Sequence, residues 1–147
     1  MKIADILRHK SAAAGGQTPV ATIGSAEPVT AVLAALAEHH IGALVVMDEG
    51  RLAGVISERD IVRKLASAGA AVLEQSVAEL MTSDVVTCTK GDSVDSIAET
   101  MTAKRIRHMP VLDNGNLVGI VSIGDVVLSR ISQLEQDRGQ LEHYIVG

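Results

Sequence analysis

The stretch Gly54-Val55-Ile56-Ser57-Glu58-Arg59-Asp60 returns later in the chain as Gly119-Ile120-Val121-Ser122-Ile123-Gly124-Asp125. In both, a glycine precedes two β-branched residues, then a serine, then an aspartate three positions on. The copies lie 65 residues apart, and that offset aligns 20–65 with 85–130 without a gap. Twelve of the 46 aligned positions are identical, and most other core positions exchange one aliphatic for another. The lead-in repeats as well, Ile3-Ala4-Asp5-Ile6-Leu7 against Val77-Ala78-Glu79-Leu80-Met81, with nine extra residues after the first copy. Self-similarity at a fixed offset marks a repeat whose single copy cannot bury its own hydrophobic face.

Working outward, each copy predicts β-α-β-β-α. Val20 to Ile23 and Val85 to Cys88 read as short strands. Val29, Val32, Leu33, Leu36 and Ala37 recur at helical spacing, as do Val94, Ile97, Ala98 and Met101. Ser25 with Pro28 resembles a helix start, and Gly91-Asp92-Ser93 opens the second helix. Ile41 to Met47 and Ile106 to Leu112 are buried strands. Asp48-Glu49-Gly50-Arg51 and Asp113-Asn114-Gly115-Asn116 are hairpin turns, the second carrying the strong Asn-Gly signal. Leu52 to Ser57 and Leu117 to Ser122 return, and helices follow from Glu58 to Ala66 and from Asp125. Met1 to Lys10 reads as a short amphipathic helix, its helical period in residues 1–7, and a loop follows from His9 to Thr18. The fold class is α+β, two repeats at 1–76 and 77–147 related by a pseudo-two-fold axis, with equivalent loops facing across a cleft.

Composition narrows the function classes. The chain has 147 residues, 47% of them hydrophobic, and a net charge of −5. Tyr144 is its only aromatic residue. An acidic chain without stacking rings does not suit nucleic acid. No apolar run reaches membrane-spanning length, and no signal peptide opens the chain. The single cysteine, Cys88, excludes an internal disulfide framework and fits a reducing cytoplasm.

The paired Gly-x-x-Ser-x-x-Asp phrases, Met81-Thr82 at the second lead-in, and Ile106-Arg107-His108-Met109-Pro110-Val111 resemble a tandem of CBS domains, a Bateman module. The resemblance runs from Ile3 to about Ile131. It implies a regulatory protein rather than an enzyme, of the small stand-alone type. It also implies an adenosine ligand between the repeats: AMP, ADP, ATP, S-adenosylmethionine or NAD(H).

The residues give that expectation a chemistry. A serine cap followed by an aspartate in the first helical turn is favoured by the helix dipole, and helix capping alone would account for Ser57/Asp60 and Ser122/Asp125. An aspartate at such a turn can also accept both ribose hydroxyls, with the serine and free N–H groups facing a phosphate. As the family pattern implies, each site straddles the repeats. The main site then joins Ser122 and Asp125 with Arg107 and His108, Arg59 reaching over as a further cation. Thr22, Ile23, Ile41 and Ala43 line the adenine slot. The weaker site joins Ser57 and Asp60 with Thr87, Cys88, Ile106 and Met109. Gly42, Ala43 and Gly124 stand there in the places of Arg107, His108 and Arg59, so phosphate ligands are missing.

No Walker, dinucleotide-fingerprint or zinc-hydrolase motif occurs, and no catalytic set is found. His39-His40, with His108 or His143, lacks ligand spacing for a metal. Cys88 reads as a packed small residue. The last helix runs beyond the second repeat, with Val127, Leu134 and Leu141 seven apart and Ile131 and Ile145 beside them, interrupted by Arg138 and Gly139. That stripe predicts a homodimer. A nucleotide sensor reporting to an effector protein is the leading expectation; a structural adaptor with vestigial clefts is the other.

Overall fold

A computed structural model describes residues 1–13, 15 and 20–146, the side chains of 143–146 excepted. Each phrase lies on the second strand of a hairpin and turns into a helix. In the first copy β1 (Thr22–Ile23) runs parallel to β2 (Ala43–Asp48), and β2 pairs antiparallel with β3 (Arg51–Ser57). The β2–β3 turn places Glu49 at φ 51 and Gly50 at φ 75. In the second copy β4 (His108–Asp113) pairs with β5 (Asn116–Ser122) around Asn114 at φ 51 and Gly115 at φ 81. Two successive positive φ values match the right-handed twist of both hairpins.

The short strand expected at Val85 to Cys88 shrinks to a single bridge, Cys88 against Val111. Cys88 N–H donates to the Pro110 carbonyl at 3.0 Å, and Leu112 N–H to the Cys88 carbonyl at 2.9 Å. In the first copy the ladder continues because Val45 N–H donates to the Ala21 carbonyl at 3.4 Å. Pro110 occupies the place of Val45 and has no N–H, so that rung cannot form.

Helices cover the hairpins. α2 (Val29–His39) and α5 (Val94–Lys104) are equivalent, and each ends on a left-handed residue, His40 at φ 52 and Arg105 at φ 54. Ser25 does not cap α2, contrary to expectation. Pro28 holds that place with no side-chain cap, and Ser25 N–H donates instead to Asp48 Oδ1 at 3.0 Å. The Ser25 hydroxyl first, and this N–H second, hold the Asp48 carboxyl below its ordinary range. α3 (Glu58–Ala68) runs past Ala66 into an unanticipated 3₁₀ segment, Gly69–Glu74, whose Val72 is fully buried. α4 (Val77–Leu80) is the second lead-in and α6 (Ile123–Val146) closes the chain. α1 (Ile3–Ala13) runs past Lys10 to Ala13, replacing the start of the expected loop. The rest of that loop falls largely outside the described residues.

Packing divides the chain into two units, Pro19–Val86 and Met1–Thr18 with Thr87–Gly147. The repeat boundary at 76/77 is one of sequence; the packing partition differs because the lead-ins change places. α4 joins the first copy, where Val77 is buried in one core with Val29, Val32, Leu36, Leu44, Val46, Ile56 and Ile61. α1 lies on β5 and α6 of the second copy.

The glycine that opens each phrase is where the lead-in rests. A Cβ at Gly54 would stand 2.7 Å from the Thr82 carbonyl oxygen and 2.8 Å from Met81 Sδ. A Cβ at Gly119 would stand 2.5 Å from Leu7 Cδ2. Glycine is required for that close approach, independent of backbone φ.

Candidate functional site

Each Ser-x-x-Asp phrase ends a strand and starts a helix, so its serine has extended backbone and its aspartate is the third helical residue. In the first unit Ser57 and Asp60 form a closed capping box. Asp60 N–H donates to Ser57 Oγ at 3.2 Å, and Ser57 N–H to Asp60 Oδ2 at 3.0 Å. Ser57 Oγ also donates to Asp60 Oδ2, at 3.0 Å. These bonds satisfy N–H groups that a helix start leaves unpaired.

The second copy keeps the backbone bonds and changes the third. Asp125 N–H donates to Ser122 Oγ at 3.1 Å, and Ser122 N–H to Asp125 Oδ2 at 2.9 Å. The remaining donor to Asp125 Oδ2 is Lys10 Nζ, at 3.0 Å, from the end of α1. The same ammonium donates to the Ile120 carbonyl at 2.8 Å. Side-chain exposure is 32% for Lys10 and 18% for Asp125, so water screens this pair less than the other ion pairs of the described residues.

Sequence reading missed Lys10. The nine extra residues after the first lead-in removed its counterpart from the repeat. A signal existed: Ile3, Ile6, Leu7 and Lys10 share one helical stripe, and a lysine at the end of an apolar stripe carries its charge over the edge of the covered surface.

The start of each hairpin is tied to the phrase of the same repeat. Ile123 N–H donates to the Arg107 carbonyl at 2.8 Å, and Glu58 N–H to the Gly42 carbonyl at 3.0 Å. His108 is opposite Ser122 in the ladder, as Ala43 is opposite Ser57. One unit therefore gathers Ser122, Asp125, Arg107 and His108 with Lys10, and also contains Thr87 and Met109. Arg107 and Thr87 are exposed, His108 is half-buried and Met109 is fully buried. The other unit holds Ser57 and Asp60 with Thr22, Ile23, Ile41, Ala43 and Arg59. Thr22, Ile41 and Arg59 are exposed there, Ile23 is half-buried and Ala43 is buried. Asp125 thus has three basic residues on neighbouring elements, while no ion pair reaches Asp60 among the described residues.

Cys88 is 3% exposed, and burial, with a smaller contribution from Asp92, pushes its thiol up to about 12. Thiolate is the reactive form, so this side chain packs rather than attacks. Among the described residues no three His, Cys, Asp or Glu side chains gather as a metal site. The side chain of His143 lies outside them.

A family model described as CBS domain matches residues 16–67 and 77–131. The crystal structure of a CBS-domain protein from Agrobacterium tumefaciens is 41% identical, covers 88% of this chain and 99% of its own, and superposes with a TM-score of 0.82. A CBS domain protein from Pyrobaculum aerophilum complexed with AMP is 28% identical, covering 92% of this chain and 97% of that one, with a TM-score of 0.75. The CBS domain pair of protein MJ0100, solved with 5′-methylthioadenosine and S-adenosyl-L-methionine, is 29% identical over 92% of this chain and 98% of its own, with a TM-score of 0.74.

Proposed function

The chain belongs to the CBS-domain family, and from that premise we propose that it is a regulatory protein, not an enzyme, that binds an adenine nucleotide. One observation carries the reading: the Pyrobaculum aerophilum AMP complex shares the fold over 92% of this chain, and Asp125 stands at a helix start with the Lys10 ammonium on its carboxylate. Asp125 accepts ribose hydroxyls, and Ser122, Arg107 and His108 face the phosphate. AMP is the first ligand to test, with ADP, ATP, NAD(H) and S-adenosylmethionine beside it. Binding favours one arrangement of the protein over another and so reports energy or redox state to an effector protein in the cytoplasm.

The experiment is a thermal-shift panel with those ligands. A ligand at about 100 times its dissociation constant adds roughly 2.7 kcal/mol of stability. No shift with any of them rejects the sensor.

The adaptor reading has its own support in α6. Val127, Leu128, Ile131, Leu134 and Leu141 are 47% to 68% exposed. The side chain of Ile145 lies outside the described residues. We assign the stripe to the same helix of a second copy, because Val127, Leu134 and Leu141 repeat every seven residues. Light scattering then gives twice the chain mass, and Leu134→Glu gives one. A single-chain mass for the wild type across micromolar dilution rejects the dimer.

A further inference from the structure

We infer that Lys10 is a positioning residue of the Asp125 site, holding Asp125 so that the Ser122 hydroxyl can donate to a ligand phosphate. This rests on the nucleotide reading above. The inference comes from a difference in where one proton goes. Asp60 Oδ2 receives the Ser57 hydroxyl at 3.0 Å. Asp125 Oδ2 receives Lys10 Nζ instead, also at 3.0 Å. A serine hydroxyl has one proton to give. In the first copy that proton is spent inside the cap. In the second, among the described residues, Ser122 Oγ accepts from Asp125 N–H and donates to none.

Two further features fit a free donor at Ser122. The residue after next is Gly124, where the first copy has Arg59. Even an added Cβ at Gly124 would sit 3.6 Å from Ser122 Oγ, so no side chain from that position covers the hydroxyl. Lys10 is also anchored at a second point, the Ile120 carbonyl at 2.8 Å. In the first copy the equivalent carbonyl, that of Val55, is taken by Thr82 N–H at 2.9 Å. The lengthened α1 therefore replaces a backbone contact with a cation that serves the strand edge and the carboxylate together. A cation beside the ribose carboxylate and a free hydroxyl both favour an anionic ligand over a neutral nucleoside.

Calorimetric titration of the full chain with AMP and with adenosine tests this, on the wild type, Lys10→Met, Ser122→Ala, the double variant and Lys10→Arg. Losing Lys10 turns the Ser122 hydroxyl onto Asp125, as in the first copy. Lys10→Met and Ser122→Ala should each weaken AMP about tenfold, the range of a hydrogen bond to a charged group. Adenosine should change less than about twofold, since it has no phosphate. The double variant should be no weaker than either single one, because both remove the same bond. Lys10→Arg keeps the cation and should restore most of the AMP affinity, and a melting curve for each variant confirms folding. AMP affinity unchanged in Lys10→Met overturns the inference and leaves the nucleotide reading standing. Equal losses for AMP and adenosine, or additive losses in the double variant, overturn it too. A wild type that binds neither AMP nor adenosine rejects the nucleotide reading itself.

Discussion

The two Ser-x-x-Asp turns share backbone geometry and differ in what completes them. Ser57 and Asp60 satisfy each other, with three hydrogen bonds inside the first turn. Ser122 and Asp125 make the same two backbone bonds, and Asp125 takes its third from Lys10, more than a hundred positions away. A duplicated turn can therefore keep the same cap in both copies and differ in the third donor to its aspartate. Within the phrase the difference is Arg59 against Gly124. Outside it, the difference lies in the length of the lead-in helix and in the residues that start each hairpin, Gly42 and Ala43 against Arg107 and His108.

The comparison breaks most readily at the aspartates. Asp125→Ala should weaken AMP about a hundredfold by removing charge-assisted bonds to the ribose, and Asp60→Ala should weaken it far less. Equal losses by titration would mean that the two turns are functionally equivalent.

The glycines give the next largest effect, on stability. Gly54→Ala should cost about 2–3 kcal/mol, because the added methyl meets the Thr82 backbone oxygen, which cannot turn aside. Gly119→Ala should cost about 1 kcal/mol, because it meets the tip of Leu7, which can rotate. Urea midpoints in the reverse order would show that the two lead-ins are held differently from this reading.

Cys88 occupies the place of Ile23 and makes the second copy sensitive to alkali. Its thiol is raised from 9.0 to about 12 in the folded chain. The native state then holds the proton that the unfolded chain releases. The stability from this group is complete below about pH 9 and is lost as pH rises toward 12. By pH 10 the loss should be about 1.4 kcal/mol, and it should be absent in Cys88→Val. An identical pH slope in the variant would assign the loss to other groups.

The smallest contrast is between α5, capped by Ser93, and α2, begun by Pro28 without a side-chain cap. Ser93→Ala should cost about 1 kcal/mol, since Ser96 N–H loses its acceptor at 3.1 Å. Pro28→Ala removes no cap and should change the melting temperature less. Equal shifts would mean that the Ser93 bond contributes nothing.

Much of the fold was legible. The hairpins and their turns followed from apolar runs divided by Glu-Gly and Asn-Gly, and α2, α3 and α5 from helical spacing. The missing β-strand near Cys88 was legible in principle, since Pro110 replaces Val45 and cannot donate. The false cap at Ser25 was not, because its N–H is claimed by Asp48 from a distant hairpin turn. That Ser122, Asp125, Arg107 and His108 fall in one unit was legible from the phrase and the strand before it. Lys10 was hidden because it stands where the repeat loses its alignment.

The sequence by itself determined the duplication, the element order and the two Ser-x-x-Asp turns. Those depend on local period, turn chemistry and capping, which neighbouring residues settle among themselves. Only the tertiary structure decided which lead-in covers which hairpin, why each phrase must open with glycine, and that Asp125 takes its third bond from α1. Each of these depends on contacts between residues far apart in the chain, where van der Waals radii and the positions of single protons select the outcome.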